Sequence, residues 1–174
     1  MSAGLPTLAG PRVVLRPFVL ADASDVQRLA GERDIAATTA LIPHPYEDGM
    51  AEAWIATHAD RFARDEAATF AVTLGATGEL LGAISLQIRR EHARAELGYW
   101  IGKPYWGRGY CTEAGGLVLR FAFEELRLAR VFAAHFKSNE ASGRVLQRLG
   151  LRPEGVFRSH MLKWGAPQDA VFCG

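Results

Sequence analysis

Apolar positions along the chain follow two rhythms. Short runs rich in β-branched and aromatic residues read as strands: "RVVLRPF" (Arg12 to Phe18), "ATFAVTL", "LLGAISLQI", "RAELGYWI", "ARVFAAHF", "GVFRSHMLKW" and "DAVFCG". Between them the apolar residues recur at helical spacing. "LADASDVQRLAGE" offers Asp22 as N-cap, Val26, Leu29 and Ala30 on one side, and Gly31 as a stop. A second helix is expected from Met50 to about Arg64, with Trp54, Ile55 and Phe62 near one face. A third runs from Thr112 to Leu126, and a fourth is capped by Ser138 or Asn139 and closed by Gly150, with Val145, Leu146 and Leu149 inward. The proline-rich "IPHPYEDG" and the "GATG" turn break these segments. The order β-α-α-β-β-β-α-β-α-β-β predicts an α/β fold of the α+β type. Its sheet is mixed, mostly antiparallel, of six to seven strands, with helices on both faces.

Composition adds limits. A chain of 174 residues is expected to form one domain over 1–174, with residues 1–10 a flexible lead-in. The 20 basic residues are scattered among 19 acidic ones, so a broad basic face for nucleic acid is not expected, while a local basic pocket for one anionic ligand stays open. Cys111 and Cys173 show no metal-ligand spacing and no disulfide framework, and the histidines form no ligand cluster, so no metal site is expected. The opening residues lack a signal-peptide pattern and no apolar stretch has transmembrane length, so the expectation is a cytoplasmic protein with no membrane partner.

Candidate chemistry concentrates in "KPYWGRGYCTEA", directly after the strand-like "AELGYWIG". A strand running into a helix here would leave several backbone N–H groups unpaired at one helix start. Gly107 and Gly109 can take φ > 0 and have no side chain to block a pyrophosphate, and Arg108 adds charge. The motif is neither G-x-x-x-x-G-K-[ST] nor G-x-G-x-x-G, since Thr112 stands where the third glycine would be. By itself it allows either a phosphate seat or merely a tight strand-to-helix turn.

"GYWIGKPYWGRGYCTEA" followed by "NEASGRVLQRLGL", with "LRPFVLAD", "IPHPY", "LLGAISL", "PEGVFR" and "WGAPQD" in order, resembles the Gcn5-related N-acetyltransferase superfamily, and within it the RimJ/RimL-like branch. The resemblance implies a sheet splayed at the fourth and fifth strands, holding acetyl-CoA as cofactor in the gap. It implies Tyr99, Trp100 and Ile101 pairing with the pantetheine arm, Trp106, Gly107, Arg108, Gly109, Tyr110 and Cys111 around the pyrophosphate, Asn139 on the pantetheine, and Ser142 near the thiol end or the phosphates. It also implies an amine acceptor as partner, and a homodimer is compatible with it. Two departures stand out: Pro104 occupies the position where Gln or Arg usually opens the phosphate loop, and Leu146 the position of the usual tyrosine acid.

Acetyl transfer to an amine requires a neutral amine. An α-amine of pKa near 7.7 to 8.0 needs roughly 3 kcal/mol less help to deprotonate than a lysine near 10.4. The expected activity is direct, acetyl-CoA-dependent transfer to a primary amine, foremost a protein N-terminal α-amine of the ribosomal-protein type. A small-molecule amine acetyltransferase, a catalytically weak CoA-binding module, and a nucleotide-binding domain using the same loop are the alternatives. Glu96 is the candidate base, or else an ion-paired strand carboxylate, and Ser142 the candidate hydroxyl for the leaving thiolate, or else a helix serine that binds cofactor or backbone. Glu113 is expected to stabilise the helix start, and Cys111 to pack rather than carry an acetyl group. On the acceptor side, position within the family points to His44 and Tyr46 in the "IPHPY" loop, Trp54, Phe157 and Arg158, each of which also reads as core or loop anchor; His160 is a further candidate for the groove, or else a strand histidine with an ordinary partner.

Overall fold

The computed structural model describes residues 4–174, so the first three residues of the expected flexible lead-in lie outside the described residues. The later part of that lead-in is ordered: Leu8–Ala9 forms β1, paired antiparallel with β2 (Val13–Pro17). Among the described residues the sheet therefore has eight strands, where the pattern predicts six to seven, because a two-residue strand carries no readable alternation. The others are β3 (Ala67–Leu74), β4 (Leu80–Arg89), β5 (Arg94–Ile101), β6 (Arg130–Phe136), β7 (Pro153–Lys163) and β8 (Ala166–Cys173). Their order is β1-β2-β3-β4-β5-β6-β8-β7, and every neighbouring pair is antiparallel except β5 and β6.

The first predicted helix is α1 (Ala23–Ala30), entered through a 3-10 turn at Leu20–Asp22. Asp22 holds the N-cap position, as the sequence reading has it, but its side chain makes no capping bond to the helix. Its carboxylate accepts both terminal nitrogens of Arg16 at 2.8 Å and the Val19 N–H at 2.9 Å, bracing the end of β2. Helix α2 (Arg33–Thr38) has no counterpart in the sequence reading; its "RDIAAT" is too short to show a period. The helix expected over 50–64 is two, α3 (Met50–Ala56) and α4 (His58–Ala63). At their junction the Thr57 hydroxyl donates to Trp54 O at 2.8 Å, a local bond that competes with the helical ladder. Helix α5 (Tyr110–Arg120) starts two residues early and ends in a π-turn at Phe121–Glu125, and α6 (Glu140–Arg148) is capped by Asn139, whose Oδ1 accepts the Ser142 N–H at 3.2 Å.

Both sheet faces are covered. On one, Val13, Leu15, Phe70, Val72, Ile84 and Leu86 pack against Ala114, Val118 and Phe121 of α5 and the turn after it. On the other, Ala71 and Leu80 meet Val26, Leu29 and Ile55 of α1 and α3. Each fully buried aliphatic side chain is worth about 1.5–3 kcal/mol of transfer free energy, so these two layers hold the helices against the sheet.

The central opening follows from strand pairing. β4 and β5 pair along their length, from Gly82↔Ile101 to Arg89↔Arg94. β5 and β6 pair only at Arg94↔Arg130, Ala95↔Val131 and Glu96↔Phe132. Beyond Glu96 the two strands diverge, which is the splay between the fourth and fifth strands of the sequence reading.

Candidate active site

A cleft of about 1300 Å³ fills the splay and runs through to both sheet faces. It is lined by Tyr99, Trp100 and Ile101 on β5, by His135 on β6, and by Asn139 and Ser142 on α6. Past Glu96 the backbone of β5 facing β6 has no strand partner, so its peptide groups are available to a ligand in the gap.

The glycine motif closes one end of the cleft. After β5 the Gly102 N–H returns to Leu81 O at 2.8 Å, and a 3-10 turn at Lys103–Tyr105 leads into the loop. Gly107 and Gly109 have φ of +73° and +80°, the left-handed region, and a Cβ at Gly107 would meet nothing within 4 Å. That is an open cradle before the N-terminus of an 11-residue helix, whose first N–H groups lack intrahelical acceptors and favour an anion. The neighbouring aromatics hold the loop. Trp106 donates its indole N–H to Ile101 O at 2.6 Å, and Tyr110 lies under the Arg12 guanidinium, 5.1 Å from ring centre to Cζ.

Arg12, which the sequence reading passed over, is the main brace. It donates through Nη1 to Arg108 O at 2.9 Å and through Nε to Glu113 Oε2 at 2.8 Å. Glu113 Oε1 also accepts the Arg12 and Val13 N–H groups, at 2.7 and 3.0 Å. Burial alone would raise its pKa, but these bonds hold the carboxyl below the usual range. The Arg108 side chain does not line the cleft. Instead Arg144 and Arg148, one turn apart on α6, line it, and only their i,i+4 spacing could have signalled this.

Deeper in, the Tyr99 hydroxyl reaches across to α6, 2.8 Å from Ser142 Oγ and 3.2 Å from Ser142 O. Burial pushes the Tyr99 pKa well above its ordinary value, so the phenol stays protonated and donates. Leu146 is 1% exposed in the core, one turn further along α6. Cys111 lines the cleft, yet burial of its thiol raises the pKa to about 12, which leaves it no nucleophilic thiolate near neutrality. Cys173 is likewise a free thiol.

Glu96 lies at the point of divergence, open to the cleft. Its pKa is raised by loss of water around the carboxylate, against the opposing charges of Arg89 and His160. Tyr46 and Trp54 line the opposite wall, Trp54 edge-on to Phe18 at 5.1 Å and to His58 at 4.4 Å. Phe157 and His160 do not line the cleft, though the charge of His160 is felt at Glu96. They stack with Phe172 on the β7–β8 hairpin, and Met161, just past the register irregularity that follows Phe157, lines the cleft instead. Among the described residues no cluster of His, Cys, Asp and Glu could hold a metal ion, and no helix is long and apolar enough to cross a membrane.

A splayed mixed sheet with a phosphate-type loop at its mouth and a free strand edge beside it defines an acyl-CoA-dependent transferase architecture. Residues 12–152 match the acetyltransferase (GNAT) domain, and the chain belongs to this family, whose acyl donor is acetyl-CoA. The chain is thus an N-acetyltransferase by class. The probable N-acetyltransferase YjcK of Bacillus subtilis is 31% identical over 93% of this chain and 92% of its own. The chain spans about half the length of other curated relatives: 53% of YoaA of B. subtilis at 39% identity, and 49% of the [ribosomal protein uS5]-alanine N-acetyltransferase of Escherichia coli at 30%. The structure of Mycobacterium smegmatis RimJ in complex with CoA-disulfide superimposes with a TM-score of 0.86 at 22% identity, covering 97% of this chain and 86% of that one, a likeness of fold.

Proposed function

We propose that the protein acetylates a primary amine directly, the foremost acceptor being the α-amine of a polypeptide N-terminus. The observation that carries this is Glu96: a carboxylate of raised basicity, open to the cleft where the strand edge becomes free. A carboxylate of raised pKa is a better proton acceptor than an ordinary one, and an α-amine near 7.7 to 8.0 asks less of it than a lysine near 10.4. The E. coli relative that acetylates a ribosomal-protein alanine supports the same acceptor class.

Acetyl-CoA supplies the activated acetyl thioester. The open cradle at Gly107, the N-terminus of α5, and Arg144 and Arg148 would hold its phosphates; the free edge at Tyr99–Ile101 and Asn139 would hold its arm. Glu96 accepts the proton of the attacking amine at a carboxylate oxygen, either directly or through one water. Backbone N–H groups of the free β5 edge offer a donor to developing negative charge. The Ser142 hydroxyl, oriented by Tyr99, is the O–H donor on the α6 side, with the phenol arriving from β5 where the superfamily's usual tyrosine would come from α6. The elevated pKa of Cys111 supports direct transfer over an acetyl-cysteine route.

Incubation with acetyl-CoA and N-terminal peptides, polyamines and aminoglycosides, with free thiol as readout, tests this. Thiol release with peptides and not with polyamines or aminoglycosides is expected. Release only with the small molecules moves the acceptor class, and tight acetyl-CoA binding without turnover by any acceptor overturns the enzyme reading.

A further inference from the structure

The floor of the acceptor half of the cleft is built in rows across three strands. Side chains of directly paired residues share a face, so Glu96 stands beside Gln87, Gly98 beside Ser85 and Thr69, and Trp100 beside Ala83. All seven line the cleft, which makes a polar floor that passes to apolar only at Trp100. The missing side chain at Gly98 leaves the Ser85 hydroxyl uncovered, 3.6 Å from where a Cβ would stand.

A second charge meets this floor. Arg61 lines the cleft from α4 and donates through Nη2 to Gln87 Oε1 at 2.7 Å. Its Nε lies 3.8 Å from Glu66 Oε2, a carboxylate that Arg64 already holds at 2.9 Å. Among the described residues Arg61 forms no ion pair with Glu96. The guanidinium is bound instead to Gln87, the direct cross-strand partner of Glu96. Opposite charges held apart on one ligand-facing wall complement a ligand that carries both, and a guanidinium suits a carboxylate by its fork of donors.

We propose that the acceptor bears a carboxylate within a few bonds of its primary amine, with the nitrogen at Glu96 and the carboxylate at Arg61. Trp54, Met50 and Tyr46 cover its apolar part from the opposite wall. The placement of the amine rests on the acetyl-transfer reading above. A free amino acid and a polypeptide whose first residue is acidic share this chemistry.

Calorimetric titration of the CoA-saturated protein separates the sources with three probes: alanine, Asp-Ala-Ala-amide and Ala-Ala-Ala-amide. At least one carboxylate-bearing probe should bind about tenfold more tightly than the neutral peptide amide. Arg61→Gln should bring that probe down to the neutral one, and Arg61→Lys, which keeps the charge, should retain most of the preference. CoA affinity should be unchanged in both variants. A preference for alanine assigns a small-molecule acceptor, and one for Asp-Ala-Ala-amide a polypeptide N-terminus. Equal or undetectable binding of all three probes, or equal weakening of all by Arg61→Gln, overturns the proposal. Failure of the acetyl-transfer reading shows separately, as absence of thiol release from acetyl-CoA.

Discussion

Glu96 takes its character from where it stands: it is the last residue of β5 paired to β6, and past it the strand edge is free. Its raised pKa predicts a pH dependence with a definite sign. The base is competent only when ionised, so kcat/KM should fall as pH drops through a limb lying above the ordinary carboxylate value of about 4.3. Glu96→Gln should lower kcat at least about 100-fold and flatten that limb, with acetyl-CoA affinity unchanged, as steady-state kinetics across pH can check. At Gly107 the structural reason is conformational. With φ at +73° and open space around it, an alanine meets no clash but pays about 1–2 kcal/mol for the left-handed backbone. Gly107→Ala should lower Tm by about 2–8 °C and CoA affinity about tenfold, while Gly116→Ala, in the α5 interior with equally open space, should raise Tm. The glycines were legible because their residue type is itself the signal. Gln87 and Arg61 were not, because their relation to Glu96 exists only through strand register and the position of α4.

Among the elements, α5 shows how a helix start is set by a remote segment. Arg12, just before β2, binds the Arg108 carbonyl, the Glu113 carboxylate and the Tyr110 ring, so the phosphate loop is held from behind by the first long strand. The ion pair is partly exposed, with 52% of the Arg12 side chain accessible, and adds little to global stability. Its effect belongs to loop geometry. Arg12→Ala should weaken CoA binding about 3- to 10-fold with a Tm change within about 2–4 °C, measurable by calorimetry beside thermal melting. The sequence reading placed Glu113 at the helix start as a dipole partner. Its actual partners lie about a hundred residues earlier in the chain, beyond what local spacing conveys. The split of 50–64 into α3 and α4 was hidden because Thr57 is compatible with a continuous helix, and neither its hydroxyl nor its N–H bond to Trp54 O shows in the apolar spacing.

On the scale of the molecule, the cleft is bridged by chain segments far apart in sequence. The end of α2 is held by Asn139 Nδ2 donating to Thr38 O at 3.4 Å, and the loop after it by Lys163 Nζ donating to Ile42 O at 3.0 Å. Arg33 lies over the Trp164 ring at 4.7 Å, fastening the tip of the β7–β8 hairpin to α2. These contacts roof the acceptor half and leave the phosphate loop untouched. Lys163→Ala should therefore speed amide hydrogen exchange in residues 39–42 and raise the acceptor KM several-fold, with acetyl-CoA affinity unchanged. A parallel loss of acetyl-CoA affinity would place the roof in donor binding instead.

The sequence by itself determined the alternation of strands and helices, the glycine motif at a strand-to-helix turn, and, through several ordered segments, the acyl donor. Those features rest on residue type and short-range spacing. Tertiary structure decided which side chains share the cleft. Pairing of β4 with β5 set Gln87 beside Glu96, Tyr99 met Ser142 across the splay, and in β7 it is Met161, not Phe157, that lines the cleft. A strand's period of two tells which residues share a face only once its register is fixed, and register is set by the whole sheet.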